Sequence, residues 1–575
     1  MKSIIELWDR QVSMRKDEVA LYYKGKEYTY GKVDRMANAV AEKVENMTKS
    51  SLVGVMMSGS AEYVISVLGI LKSGRGFVPM DKNYPSARKN YIIHDCHLDT
   101  LIISDMEEKI SEDDIRHIIV EDIEKENNIS LEVKTEIAYV LYTSGTTGMP
   151  KGIMVGHESI ENLITWFQET YEIEKNKNVI QMANIFFDVS IEEIFGCLLN
   201  GGKLYIPEEN IKSHKGRIRE FIKENHINIV QVVPVLLEEI FAHDERIDSI
   251  RVLICGGEVL SNELKDIILT KGYRLYNHYG PTETTVDSTR SICTKDKKVT
   301  LGKPIKNSNC FILTQDGELV TKNASGELCV SGKNLALGYL NNEKLTSEKF
   351  MVINGERLYK TGDKAFINSE GEIEYLGRMD NQVKLRGRRI ELDEIDNCFS
   401  KLDGISLCNS VLIENETGGK IVTFYVANTE YNYGEVVSVI KNYLPEYMVP
   451  AEIHKLDHFE QDSNGKISKS GLKNLYKKLE EENKSDEQNR DYKNEIEEDE
   501  VLKIVAKNVA EVLEKEMYKL NPNITLDELG MDSIKFVQTV VKLEDAFDVE
   551  FEDDRLVLTK FKSLKELAEY VENIS

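Results

Sequence analysis

Through the first 376 residues, short apolar and β-branched runs at 53–57, 100–103, 138–142, 230–233 and 251–254 alternate with amphipathic stretches of helical length. Helical crossovers join parallel strands, so this alternation predicts an α/β domain with a mostly parallel sheet. From about residue 380 the pattern restarts on a smaller scale, and 380–475 read as an α+β subdomain with a strand at 420–426. Between 477 and 500 nearly every side chain is charged or an amide, with no apolar periodicity. That composition predicts an exposed linker with helical ends. Beyond it, Ile534, Val537, Val540, Val541 and Leu543 recur at three- and four-residue steps, the stripe of a helix facing a core. A last helix opens on Ser563-Leu564-Lys565-Glu566, a capping box. The expected organisation is 1–379, 380–475, a linker at 476–500, and a helical unit at 501–575.

Composition narrows the class. A chain of 575 residues exceeds what one core supports, since single cores stop growing near about 250–300 residues. With 41% hydrophobic and 30% charged residues, no apolar run of about 18 residues and no basic leader, a cytoplasmic enzyme is expected, with neither membrane span nor secretory signal. The 8 cysteines form no C-x-x-C pair, which predicts buried reduced thiols rather than a zinc site or disulfide framework. A net charge of −26 argues against a nucleic-acid partner. One basic cluster, Lys384, Arg386, Arg388 and Arg389, runs against the trend. On residue types alone it is a solvated turn or an anion-receiving face.

Two short segments carry chemistry. After the apolar run 137–141 comes YTSGTTGMPKG at 142–152. Gly145 and Gly148 permit turns that direct N–H groups inward, while Thr143, Ser144, Thr146, Thr147 and Lys151 offer hydroxyls and a positive charge to phosphate oxygens. The spacing is not that of a Walker loop, and such a run also suits a flexible turn. Near the C-terminus Asp532-Ser533-Ile534 opens the apolar stripe. Ser533 there is an N-cap or an attachment point, and Asp532 suits the positive end of the helix.

Ordered blocks extend the first segment: LKSGRGFVPMD at 71–81, FDVS at 187–190, NHYGPTE at 277–283, GELCVSGKNLALGYL at 326–340 and YKTGD at 359–363. GRMDNQVKLRGRRIELDEI follows at 377–395, LPEYMVP at 444–450 and NGK at 464–466. Together they resemble the adenylation domain of nonribosomal peptide synthetases, and the Asp-Ser-Ile frame resembles acyl and peptidyl carrier proteins, in which the serine bears 4′-phosphopantetheine. The resemblance spans essentially the whole chain. It implies a large α/β domain with mixed sheets, a small mobile α+β subdomain and a helical-bundle carrier. The implied reaction is activation of an acid by ATP and Mg2+, then thioester formation on the chain's own arm.

The resemblance also assigns roles. Thr143 to Gly148 and Lys151 hold phosphates; Glu283 is the magnesium carboxylate; Asp363 takes the ribose hydroxyls. Tyr279 and Tyr375 sandwich adenine, Asn277 reads its edge, and Arg378 contacts ribose at the hinge. Lys466 serves adenylation, where a compact ammonium neutralises charge developing in the transition state. After Lys466 the chain reads Ile467-Ser468-Lys469, which departs from the family's usual acidic and arginine positions. Asp380 is the hinge about which the small subdomain turns between half-reactions, bringing in the face that carries Lys384 to Arg389. Asp188 binds the α-ammonium of an amino acid, and Val189, Glu192, Gln231, Ile254, Gly256, His278, Val286 and Asp287 complete the pocket with Lys466. Two further carboxylates, Glu192 and Asp287, suggest a polar or basic side chain.

The alternatives are an acyl-CoA or aryl-acid ligase, opposed by Asp188 and Ser533, and a non-catalytic scaffold on the same fold, opposed by Lys151, Glu283, Asp363 and Lys466. No H-H-x-x-x-D-G or G-x-S-x-G motif occurs, so a stand-alone loading module is expected. Its partners would be an amino acid, a phosphopantetheinyl transferase and a downstream condensation or tailoring enzyme.

Overall fold

The computed structural model describes residues 3–105, 115–120, 133–145, 149–173, 177–314, 317–320, 322–399, 401–402, 404–414, 419–428, 431–459, 467, 469–489, 492–513, 515–526, 529–531, 533–547, 549, 551, 561 and 563–574. They fall into two compact units, Met1–Phe459 and Glu460–Ser575.

In the first unit, strands Leu52–Met56 and Gly76–Met80 are buried at all five positions. Their unbroken apolar character is what a parallel strand covered on both faces requires. They pair in parallel at the centre of a seven-stranded sheet, whose other side continues into the antiparallel pair Ile137–Thr143 and Lys151–Gly156. A nine-stranded sheet runs beside it, with Ile229–Val232, Val252–Cys255 and Leu275–Tyr279 as adjacent parallel strands. The last is LYNHY, buried throughout, so Asn277 and His278 are polar side chains inside a covered strand. A third, antiparallel sheet centres on Glu356–Ile367, where Asp363 lies opposite Arg378 of the neighbouring strand Ile373–Arg378.

Beyond Arg378 comes the hairpin Gln382–Leu385 and Arg388–Glu391. Its two turn residues, Arg386 and Gly387, both have positive φ (52° and 74°), as a two-residue turn between twisted strands demands. A Cβ at Gly387 would meet Val233 Cγ1 at 2.5 Å, so close approach as well as φ requires glycine. Helix Leu392–Phe399 and the sheet Ile405–Ile413, Lys420–Ala427 and Glu452–Lys455 complete this subdomain around Ile390, Ile395, Phe399 and Ile440.

The second unit contains helices Lys469–Asn489, Lys493–Glu497, Glu500–Leu513, Ser533–Phe547 and Leu564–Ile574. The last three enclose a core of Val505, Val509, Phe536, Val540, Leu543, Leu567 and Val571. Within the expected stripe Val540 and Leu543 are buried, but Val541 is 52% exposed and Phe536 takes the core position instead. The side chains of Ile534 and Val537 are outside the described residues. The stretch expected as a linker is helical through Asn489: Lys, Glu and Gln favour helix without supplying a core face, and the buried Leu472 and Tyr476 anchor its first turns. Seven of the eight cysteines are buried, and none is joined in a disulfide. Among the described residues, no helix is long and apolar enough to cross a membrane.

Candidate active site

Strand Ile137–Thr143 delivers the glycine-rich loop, and Thr143 pairs with Lys151 on the returning strand. A Cβ on Gly145 would meet the Met149 carbonyl oxygen at 2.1 Å, so the loop closes only around glycine. Two of its donors are engaged, while Thr143 Oγ1 is buried without a hydrogen-bond partner. Gly145 N donates to Glu394 Oε2 (3.1 Å), Ser144 Oγ donates to the Arg389 carbonyl (3.0 Å), and Glu391 N donates to Ser144 Oγ (3.1 Å). The other Glu394 oxygen receives Arg88 Nη1 at 2.9 Å, and both side chains are 2% exposed. Thr146, Thr147 and Gly148 lie outside the described residues.

Glu283 is completely buried on the short helical turn Thr282–Thr284. Tyr339 Oη donates to it at 2.7 Å, Arg389 Nη1 grips both oxygens at 2.8 and 3.0 Å, and Lys151 Nζ stands 3.8 Å away. Burial alone would raise its pKa, but Arg389 and Lys151 override it and hold the carboxyl at about 2. Burial, reinforced by Arg389, lowers Lys151 to about 8.

Nearby, both oxygens of Asp363 are taken: Tyr279 Oη donates to one at 2.5 Å and Arg378 Nη1 to the other at 3.0 Å. Arg378 also grips Asp380 through Nε (2.8 Å) and Nη2, and reaches Gln382 Oε1 at 2.9 Å. Burial would raise Asp380, but this bidentate contact holds it below the usual carboxylate range. Asn277 Nδ2 donates to the Thr300 carbonyl (2.9 Å) while its Oδ1 is buried without a partner. Tyr375 is half-buried on the strand opposite Ala365.

The basic cluster is not simply a solvated turn. Arg389 reaches Glu283, Lys384 lies over the Tyr279 ring (5.9 Å), and Arg388 lies over Tyr447 (4.4 Å); Arg386, at the turn, is exposed.

Of the nine described positions expected to line the substrate pocket, Glu192, His278 and Asp287 bring side-chain ligand atoms within 4.8 Å of one another. Asp188, capping helix Val189–Leu198, accepts from Val189 N (2.9 Å) and Thr282 Oγ1 (2.6 Å), and burial raises its pKa. One helical turn further Glu192 is fully buried. Gln231 and Ile254 are register partners at the ends of parallel strands, and a Cβ on Gly256 would crowd the His278 carbonyl at 3.2 Å. His278 Nδ1 stands 2.5 Å from Asp287 Oδ2, and its Nε2 meets Tyr171 Oη at 2.5 Å. Val286, beside Asp287, is buried, while Val189 is half-buried.

Sequence reasoning missed Arg88, Glu394, Tyr339 and Tyr171. Glu394 sits within the 377–395 block, where an acidic residue just after four cations was the available signal; Arg88 and Tyr171 belong to no block. Lys466 lies outside the described residues, and of Ser533 the structure shows its place at the start of helix Ser533–Phe547.

A family of AMP-binding enzymes matches residues 8–340, and a phosphopantetheine attachment site matches 503–571. The chain therefore belongs to the AMP-binding enzyme family, as a nonribosomal peptide synthetase adenylation domain fused to a C-terminal carrier domain. It is 33% identical to bacitracin synthase 1 of Bacillus licheniformis over 487 residues, 82% of this chain but 9% of that protein. It is 32% identical to zwittermicin A synthase ZmaJ of Bacillus cereus over 494 residues, 82% of this chain and 94% of that one. In fold it matches a holo NRPS protein containing adenylation and PCP domains, bound to a vinylsulfonamide inhibitor, with a TM-score of 0.76, 20% identity, and coverage of 100% of this chain and 97% of that one.

The family's cofactors are ATP with Mg2+, and the carrier's is 4′-phosphopantetheine. The residues fit them. Glu283, a buried carboxylate kept ionised, suits a divalent cation, and Gly145 N, which already receives a carboxylate, with the unpartnered Thr143 Oγ1 suits phosphate oxygens. A serine opening a 15-residue helix suits a phosphodiester.

Proposed function

We propose that the chain activates an amino acid with ATP, forming an aminoacyl adenylate and releasing pyrophosphate, and then transfers the aminoacyl group to a thiol on its own carrier, releasing AMP. The observation that supports this most directly is the pairing of charges at the loop. The small subdomain places the Glu394 carboxylate on Gly145 N and the Arg389 guanidinium on Glu283. A site that accepts an anion and a cation side by side is one shaped for a metal-bound phosphate chain.

In this reading the described arrangement serves the second half-reaction, because the hairpin occupies the groups that ATP needs in the first. Asp380, gripped by Arg378, is the hinge, and Lys466 from the far side of the hinge is the cation for adenylation. Asp363 exchanges its contacts with Tyr279 and Arg378 for the ribose hydroxyls; Tyr279 and Tyr375 hold adenine, and Asn277 Oδ1 is the free acceptor for its edge. Asp188 binds the α-ammonium, an ion pair that a fatty or aryl acid cannot make. The side-chain pocket behind it favours a polar or basic amino acid. When bound at Ser533, phosphopantetheine supplies the nucleophilic thiol.

As a loading module of nonribosomal peptide biosynthesis, the chain needs a phosphopantetheinyl transferase before it and a condensation or tailoring enzyme after it. ATP–pyrophosphate exchange across amino acids, fatty acids and aryl acids tests the reading. Exchange with an amino acid supports it, and exchange with only the other acids would overturn it.

A further inference from the structure

Helix Ser86–Asp95 lies outside every sequence block, yet its third residue, Arg88, is tied to the glycine-rich loop. Glu394 makes the tie: one of its oxygens accepts from Gly145 N at 3.1 Å and the other from Arg88 Nη1 at 2.9 Å. Carboxylate and phosphate are bound in the same way, by a guanidinium fork together with backbone N–H groups. The Glu394 carboxylate therefore fills an anion site. Both donors of that site belong to the large subdomain, whereas Glu394 is brought to it by the helix that follows the hairpin.

Arg88 is only partly used there. Its Nε and Nη2 are buried without a hydrogen-bond partner, and so is Thr143 Oγ1, two positions before Gly145. The Tyr84 ring lies 5.2 Å from the guanidinium. Among the described residues Glu394 is the one carboxylate within ion-pair distance of Arg88. When a phosphate takes Gly145 N, the carboxylate has to leave, and Arg88 loses its counter-ion with donors to spare. The phosphate that displaces Glu394 carries the charge that Arg88 then lacks.

We infer that Arg88 binds the phosphates of ATP and pyrophosphate, passing from the Glu394 carboxylate to a phosphate when the nucleotide enters; this rests on the adenylation reading above. Glu394 is then a competitor of ATP held in the same chain. The two members of one ion pair act on ATP binding with opposite signs. A pair that only supported the core would act with one sign.

ATP–pyrophosphate exchange on the full chain, with the amino acid that gives the strongest signal, tests this. Arg88 holds the competitor as well as the ligand, so its own effect on ATP is read in the Glu394→Ala background. Glu394→Ala alone should lower KM for ATP, because the arrangement that occupies the site is depopulated. Adding Arg88→Ala to it should raise KM for ATP and pyrophosphate by roughly 10- to 100-fold, the effect of losing a hydrogen-bonded charge on the ligand. KM for the amino acid should not move, and Arg88→Lys in the same background should recover part of the loss, since it keeps the charge without the fork. A raised KM for ATP in Glu394→Ala overturns the inference whether or not the double variant folds. So does an added effect of Arg88→Ala below about threefold, because a pair already broken cannot be broken again. An equal rise in KM for the amino acid overturns it too. No exchange by the wild type with any amino acid would instead contradict the adenylation reading, and the inference with it.

Discussion

Two buried charge clusters in the first unit are built in opposite ways. Around Glu283 every charge has a partner: Arg389, Lys151 and Tyr339 surround the carboxylate, and Glu394 with Arg88 closes the neighbouring loop. Around Glu192 two carboxyls and an imidazole, those of Glu192, Asp287 and His278, lie together without an ion pair to a lysine or arginine among the described residues. The first cluster is paired because the hairpin and helix that follow Arg378 supply Arg389 and Glu394; the second has no ion pair to a lysine or arginine among the described residues. Buried carboxyls meet their desolvation penalty through a charged partner or by giving up their charge; Glu283, held at about 2, is the first case, and Glu192 and Asp287, both raised by burial, are the second.

Ser533→Ala should abolish loading entirely while leaving amino-acid-dependent exchange intact, as read by intact-protein mass and exchange on the same sample; surviving loading would place the arm elsewhere. Glu283→Gln should reduce exchange by about 10²–10³-fold, the usual effect of losing an electrostatic partner in the transition state. An effect below tenfold would remove Glu283 from the phosphate site. Arg88→Ala, which frees Glu394 from its only described cation, should slow thioester formation by up to about tenfold and leave exchange unchanged or faster. Equal slowing of both half-reactions would mean that Arg88 merely supports the core.

The smallest effect is in stability against pH, where the clusters have opposite signs. Glu283, held at about 2 against an ordinary value of about 4.3, contributes stability that is full above about pH 4.3 and lost as pH falls toward 2. Asp287, raised to about 7 from about 3.9, behaves inversely: its favourable term is present below about pH 4 and lost as pH rises through 7. Asp287→Asn should therefore melt above the wild type by about 1–3 °C at pH 7.5, with the gap closing near pH 4, as followed by calorimetry. A gap that does not vary with pH would contradict the raised carboxyl.

Much of this architecture was legible in the chain. Continuous apolar runs such as 100–103 and 251–254 fall on parallel strands because covered strands need apolar residues on both faces. The loop at 142–152 and the carboxylates Glu283, Asp363 and Asp188 stand out because their chemistry requires particular residue types. What local pattern could not show was pairing at a distance. Arg88 meets Glu394 across 306 positions and Arg389 meets Glu283 across 106, and no periodicity records such contacts. The helical character of 469–489 was hidden for a different reason: charged residues with high helix propensity form helix without an apolar stripe. Val541 shows the limit of the stripe itself, since three- and four-residue spacing admits neighbours at its edge that remain in solvent.

The central claim is that one chain both activates an amino acid and carries it. Its most direct test is the intact mass of the phosphopantetheinylated protein after incubation with ATP, Mg2+ and a mixture of amino acids. The account predicts one aminoacyl group added per chain, labile to thioester cleavage, dependent on ATP and absent in Ser533→Ala. Acylation by only a fatty or aryl acid, or no aminoacyl mass on a chain that carries its arm, would contradict it.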